Sequence, residues 1–320
     1  MTRKKYFAVH AELSPRAKSV LGFLSFVLPV LIWCMVSYVP AIWHPLVLVT
    51  DPGSVDYFQV GMRVDHATFD METNDAKSEN RALPAGKPAN PIYLPAPDEV
   101  LKAFYTSFTT PPEARDSPWL HQSLWHSIQI IFWGFVISSI FGVPLGILCG
   151  TYTPISRLAE PFVEFFRYLP APAFGALAVA VLGIYDGPKI AIIVIGTFFQ
   201  QVLIIANTTR KLDGALVEAA LTLGTKNIQL LKRVVIPGIL PDLYRDQRIL
   251  LGWAWTYLIV AELIGTTSGI TWFITQQARY QHFPKVYAAI FMIGIIGLGT
   301  DLVLAYLGKR FFPWDLNGKK

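Results

Sequence analysis

Apolar and polar stretches alternate along the chain in a way that divides it before any motif is considered. Six mainly apolar runs cover about residues 19–43, 121–150, 160–184, 189–207, 249–265 and 286–307. Several reach the roughly 20 residues a helix needs to cross a bilayer, so the pattern predicts six spanning helices. In the first run Pro29 introduces a kink, and Trp33, Tyr38 and Trp43 occupy places suited to interfacial aromatics. Charge followed by an apolar run also describes a signal peptide, but this run is too long and no small-residue cleavage site follows it closely. The second run carries Gly134, Ser138, Ser139, Gly142 and Gly146, small residues that let neighbouring helices approach. Pro144 re-angles it.

The later runs are less regular. Residues 151–158 read as a short inner turn. The third run opens with Glu164, Arg167, Pro170 and Pro172 close together, which predicts a broken helix held inside protein. Residues 185–188 read as an outer turn. Gln200 and Gln201 in the fourth run are expected to face other helices or a cavity. Residues 266–284 form an outer excursion hinged at Gly269, and Asp301 lies near the inner end of the last run.

Two polar segments interrupt the apolar runs. Residues 44–120 hold six basic and eleven acidic residues. Short strands are expected within 47–64, a loop or extended excursion over 70–91, and an amphipathic helix over 98–108 with Val100, Leu101, Phe104 and Phe108 on one side. Residues 218–241, EAALTLGTKNIQLLKRVVIPGILP, are amphipathic, basic and too polar to span. Leu216, Ala219, Ala220 and Leu223 recur at helical spacing and leave Glu218 and Thr222 on another face. Gly224 stops this helix as a residue tolerant of positive φ. A second short helix over about 227–235 carries Ile228, Leu231 and Val235 as its stripe, is expected to end at Pro237, and Pro241 fixes the next turn.

Composition narrows the class. The chain has 320 residues, 53% hydrophobic and 15% charged, too few charges for an ordinary soluble domain. A net charge of +5 would suit nucleic acid, but the cations are placed otherwise. With six spans, the inner segments hold 17 Lys and Arg, seven of them in the loop 208–248, in agreement with the positive-inside rule. That places both termini and residues 218–241 in the cytoplasm and predicts no nucleic-acid partner. Cys34 and Cys149 both lie in apolar runs, without metal-ligand spacing. The six histidines are scattered. No G-x-x-x-x-G-K-[ST], G-x-S-x-G or H-E-x-x-H occurs, so no P-loop, hydrolase elbow or zinc-protease site is expected.

The order Glu218-Ala219-Ala220, Gly224, Ile236-Pro237, Pro241 resembles the cytoplasmic EAA loop of bacterial ABC-importer permeases. Leu94-Pro95-Ala96-Pro97, Gly142-Val143-Pro144-Leu145-Gly146, Ala261-Glu262-Leu263 and Pro313-Trp314 extend the likeness to the nitrate, sulfonate, taurine and bicarbonate group, over about residues 90–315. The resemblance implies an all-α polytopic inner-membrane protein of six transmembrane helices with an enlarged periplasmic insertion between helices 1 and 2. It implies a permease for a small anion such as nitrate, bicarbonate or a sulfonate, delivered by a periplasmic binding protein. Two ATP-binding subunits, which bind the ATP and Mg, would dock at Glu218, Ala219, Ala220, Gly224, Pro237 and Pro241. A second permease copy would complete the pathway within membrane lipid, and this chain would hold no cofactor, metal or catalytic residue.

Two departures stand out. Family members usually have a much shorter segment in place of 44–120, and they commonly carry a glycine where this chain has Tyr244-Arg245-Asp246-Gln247-Arg248. Candidate pathway residues are Arg167 and Arg279 by charge, Gln200, Gln201 and Thr256 by polarity, and Glu262 as an intramembrane acid. Glu262 also reads as a residue that hydrogen-bonds a neighbouring helix, the reading preferred over a gate, and Arg167 as a residue snorkelling to the inner surface. The expected organisation is an N-terminal part with the first helix (1–43), the insertion (44–120) and a permease core (121–320). Two other functions fit less of the pattern. An enzyme sited in the insertion lacks a recognisable nucleophile–base pair, and a stand-alone ion-coupled carrier would want several paired intramembrane charges.

Overall fold

The computed structural model describes residues 13–39, 42–112, 118–264 and 268–315. They form two compact units, one over residues 1–106 with 277–288 and one over 107–276 with 289–320.

The first unit begins with helix α1, Pro15–Tyr38, capped by Ser14, whose hydroxyl accepts the Ala17 amide at 3.3 Å. Its apolar side chains are almost all exposed, Phe23 and Phe26 by 70% or more. Strands β1 (Leu46–Asp51), β2 (Arg63–Asp65) and β3 (Ala85–Ala89) follow, in an antiparallel sheet of order β2-β1-β3. Alternation along β1 sends Val47 and Val49 inward, and Val49 packs with Val55, Phe58 and Val64. Helix α2 spans His66–Ser78 and α3 spans Pro97–Thr109. The loop expected over 70–91 is therefore half wrong: 70–78 is helical because Phe69 and Ala76 share one face, and Phe69 stacks on Phe58 at 5.9 Å. On α3 the buried face is Val100 and Ala103, while Leu101, expected on the inward stripe, is exposed.

This unit ties α1 to the sheet side. Trp33 donates its indole N–H to the Pro95 carbonyl at 3.0 Å and stacks on Tyr287 at 6.0 Å. Tyr38 hydrogen-bonds the Asp98 carboxylate. Arg63 pairs with Glu99 at 3.0 Å, and Glu99 also accepts the Ala96 amide that opens α3.

The second unit is helical. Helix α4 runs unbroken from Leu120 to Thr151 through Pro144, and α5 runs Thr153–Arg167. The turn expected over 151–158 shrinks to Tyr152, because Pro154 is accepted in the first turn of α5. A 3-10 turn, Ala171–Phe174, leads into α6, Gly175–Leu182. The chain bends by 87° between α5 and this second piece, the break that Pro170 and Pro172 predict. Helix α7, Asp186–Arg210, starts inside the expected outer turn, which reduces to Gly183–Tyr185.

Helices α4 and α7 pack along the predicted small-residue face. A Cβ on Gly134 would meet Ile193 Cγ2 at 2.6 Å, and one on Gly146 would meet Ile205 Cβ at 2.8 Å. The core of the unit is built from Leu120, Ile130 and Ile131 of α4, Ile192 and Ile193 of α7, and Ala254 and Leu258 further on.

Helix α8 spans Gly214–Thr222, α9 spans Asn227–Leu230, and one π turn, Leu231–Val235, joins α9 to α10, Ile236–Leu263. Pro237 therefore does not end a helix and Pro241 does not make a turn. Pro237 sits in the first turn of α10, and its missing N–H coincides with the π turn, where Ile236 donates five residues back to Leu231. Pro241 is buried within α10. Helix α11, Ile270–Arg279, occupies the expected excursion over 266–284, and α12 spans Phe283–Phe311.

Among the described residues four helices (α1, α4, α7, α12) are long and apolar enough to cross a membrane, or five if α5 and α6 form one broken span. Helix α10 is not among them, since Asp242, Arg245, Asp246 and Arg248 crowd its first half and only Ile249–Leu263 is apolar.

Candidate coupling surface and pathway residues

The segment singled out by its spacing folds as two short helices with defined ends. Asp213 caps α8, its carboxylate accepting the Ala215 amide at 3.0 Å. At the other end Gly224 takes φ +83°, its amide donates to Leu221 and the Thr225 amide donates to Ala220 at 3.1 Å. This is the Schellman pair of bonds that a glycine permits. Thr225 adds its hydroxyl to the same Ala220 carbonyl at 2.6 Å. Gly224→Ala is expected to strain this turn by about 1 kcal/mol, seen as faster hydrogen exchange at the Thr225 amide with no change in the spanning helices.

What these helices present is apolar. Ala220 and Val235 are buried, but Leu216, Leu221 and Ile228 are more than half exposed and Leu223 is 86% exposed. Glu218 and Ala219 are exposed beside them. Of Leu216, Ala219, Ala220 and Leu223, which recur at helical spacing, only Ala220 is buried. The following segment is anchored: Ile239 and Leu243 of α10 pack with Ile147 of α4 and Ile205 of α7. Gly238 lies against Leu212, where a Cβ would meet Cδ1 at 2.7 Å. Arg210, at the end of α7, pairs with Glu160 of α5 and donates to Ser156 at 3.0 Å. In the first half of α10, Asp246 receives the Thr208 hydroxyl at 2.5 Å; burial raises its carboxyl above the ordinary range, against that hydrogen bond.

The pathway candidates separate into bonded and open groups. Gln201 is fully buried. It donates to Ser139 and Gln247, each at 2.8 Å, and accepts from Ser138 at 2.8 Å. Gln200 is half-buried, and Arg167, Thr256 and Arg279 are exposed. Arg167 lies over the Tyr168 ring at 4.8 Å.

Glu262 is 3% exposed. Its carboxylate accepts the Ser127 hydroxyl of α4 and, at 2.8 Å, the Thr271 amide in the first turn of α11. Ser127 in turn accepts the Ile270 amide at 2.8 Å. The acid therefore caps a helix N-terminus, where negative charge suits the dipole, and it has the helix-to-helix bonding role read as one alternative from sequence. Gly269, with φ +103°, lies against this carboxylate so closely that no Cβ fits.

Sequence reading passed over a second polar group nearby. Lys189 of α7 is 1% exposed and donates to Asp186 at 3.2 Å and to Ser268 at 3.0 Å. His126 of α4 shares Asp186 at 3.0 Å. The signal was present as an acid three residues before a lysine at the edge of an apolar run; the partners at 126 and 268 are distant in sequence and invisible to it. Among the described residues no three His, Cys, Asp or Glu side chains gather as a metal site.

Residues 142–313 match the family described as binding-protein-dependent transport system inner membrane component. A probable ABC transporter permease protein of Brucella abortus is 32% identical over 224 residues, covering 70% of this chain and 87% of its own length. The taurine transport system permease protein of Escherichia coli is 30% identical over 225 residues, 70% of this chain and 81% of that one. A chain of the MetNI methionine ABC transporter, in an inward-facing conformation, shares the fold with TM-score 0.53 at 18% identity, over 60% of this chain and 94% of that chain. With a family match that takes in the broken span, the α8–α9 surface and α10 to α12 together, the chain belongs to the binding-protein-dependent inner-membrane components, the permease subunits of ABC importers, and is a transporter subunit rather than an enzyme.

Proposed function

We propose that this permease carries a small anion, of the sulfonate, nitrate or bicarbonate class, and is driven through the α8–α9 surface by two ATP-binding subunits that hold the ATP and Mg. The observation that carries the coupling half is the exposure of four large apolar side chains, Leu216, Leu221, Leu223 and Ile228, on these two short helices together with Glu218. Exposed apolar patches of this kind mark binding surfaces. Ala219 lets a partner's backbone approach, Gly224 holds the turn, and the continuous helix through Pro237 and Pro241 transmits displacement to the core at Ile147 and Ile205. Relatives named for aliphatic sulfonates and bicarbonate, and one for the sulfonate-bearing zwitterion taurine, support the anion reading.

In this reading six segments cross the membrane: α1, α4, the α5–α6 pair, α7, the apolar half of α10, and α12. Lipid covers the exposed sides of α1. Both chain ends and the α8–α9 surface lie in the cytoplasm, and the sheet unit at 46–109 faces the periplasm, where the binding protein docks. Two identical copies form the pathway, lined by exposed Thr256 and, at one mouth, Arg167; Gln200 completes it, while Gln201 and Glu262 hold the wall.

Co-purification of the full-length tagged chain with its ATP-binding partner, followed by ATPase assay in lipid, tests the coupling surface. Glu218→Arg is expected to weaken capture of the partner by about tenfold or more, as for a central interface residue. An arginine variant that retains the partner and the stimulated ATPase rate removes Glu218 from the coupling surface.

A further inference from the structure

Two adjoining cavities run along the seam between α10 and α12. The lower, about 680 Å³, lies at the end of α12 and is lined by Tyr244, Arg245, Arg248, Lys309, Phe312 and Asp315, among others. The upper, about 390 Å³, shares Arg248 and continues along Gly252, Trp255, Gly294 and Gly297 to Asp301. The lower holds charge and aromatic rings, and the upper is nearly all apolar with a glycine floor. Added Cβ atoms at Gly252, Gly294 and Gly297 would meet nothing within 4 Å, so the floor is open rather than packed.

The charged end is rigidly built. Arg248 forks onto both Asp301 oxygens at 2.9 Å, and Arg245 bonds Asp315 and Asp242. Tyr244 donates to the Leu304 carbonyl at 2.8 Å, and its ring leaves room only for glycine at 308. Burial pushes its phenol up, so it stays a neutral donor. Lys309 is exposed and has no ionic partner among the described residues. Three cations against two carboxylates line the two cavities, leaving one positive charge; Asp242, outside the lining, is half exposed to water.

We propose that this seam is a binding site for one anionic phospholipid. Its phosphodiester lies at Lys309 and Arg248, where it supplies the missing negative charge, and an acyl chain follows the glycine floor beside Trp255. Basic pockets between helices at the cytoplasmic membrane face take anionic headgroups in this way. The site uses the Tyr244–Arg248 segment at the start of the seam. It rests on α12 ending at a membrane face, and not on where the ATP-binding subunits dock.

The test measures lipid retained by the full-length protein after detergent extraction from vesicles of equal phosphatidylglycerol and phosphatidylcholine, read by mass spectrometry. Wild type is expected to retain phosphatidylglycerol selectively. Lys309→Gln is expected to lower retention about fivefold, and Gly297→Leu, which fills the floor, comparably. Arg310→Gln, on the neighbouring residue outside the lining, is expected to retain the wild-type amount. Equal loss in Arg310→Gln, or full retention in both Lys309→Gln and Gly297→Leu, overturns the site. Displacement of the lipid by millimolar inorganic phosphate would make the ligand a free anion, and disulfide trapping between two Gly297→Cys chains would make it a second copy; either overturns the lipid. Stimulated ATPase on the same preparations separates this outcome from failure of the coupling surface.

Discussion

Glu262→Ala is expected to destabilise the protein by about 1–3 kcal/mol, the range for leaving a buried donor without its acceptor. The side chain is almost fully enclosed and accepts two donors from different elements, Ser127 and the Thr271 amide. Its loss leaves the Thr271 N–H without an acceptor, leaves the Ser127 hydroxyl with only the Ser123 carbonyl at 3.1 Å, and opens a void. Glu262→Gln keeps one acceptor oxygen and the volume, so a smaller loss is expected. The thermal midpoint in detergent and the monodisperse fraction on size exclusion measure both. An alanine variant that melts with wild type would show that the carboxylate does not hold α11. Gly269→Val, which drives a side chain into the same carboxylate at a φ unsuited to valine, should reproduce the alanine phenotype.

The second large effect is expected at Gly146→Leu. The new Cβ would lie 2.8 Å from Ile205 Cβ and 2.9 Å from the Val202 carbonyl oxygen. The first obstacle is a fully buried side chain and the second is backbone in the middle of α7, so neither yields without parting the helices. Overpacking of this kind costs about 1–3 kcal/mol, and here the upper end is expected because the seam continues at Gly142 and Gly150. A Cβ on Gly142 would lie 2.8 Å from Gln201 Oε1, and one on Gly150 would lie 2.7 Å from the Ala206 carbonyl oxygen. Gly297→Leu is the control: it adds the same volume to a spanning helix where nothing opposes it, and its melting point should stay near wild type. Equal midpoints for the two variants would contradict the close packing of α4 on α7.

The sequence by itself determined the class of this protein, because long apolar runs have few alternatives to spanning helices and because loop charge sorts their ends. It also determined the small face of α4, the break at Pro170 and Pro172, the stop at Gly224, and the family, through the spacing around Glu218. These are local effects: sterics, a missing amide and a permitted positive φ act within a few residues. Local reasoning failed where two local rules competed. Pro237 reads as a helix end, yet one π turn absorbs its missing N–H and the helix continues. Residues 70–78 read as loop by composition, yet Phe69 and Ala76 find a sheet to cover.

Tertiary structure decided what depends on contacts between distant positions. Glu262 changed from a candidate for the anion path to the cap of α11 because Ser127 and Thr271 meet it, 135 and 9 residues away. Gln201 became part of a hydrogen-bonded network with Ser138, Ser139 and Gln247, while its neighbour Gln200 stayed half-buried. Lys189 was left inside by Asp186, His126 and Ser268, and the α10–α12 seam exists only where two helices fail to close. A charge in an apolar run costs several kcal/mol in lipid, which tells a reader that a partner must exist; only the fold shows which residue it is.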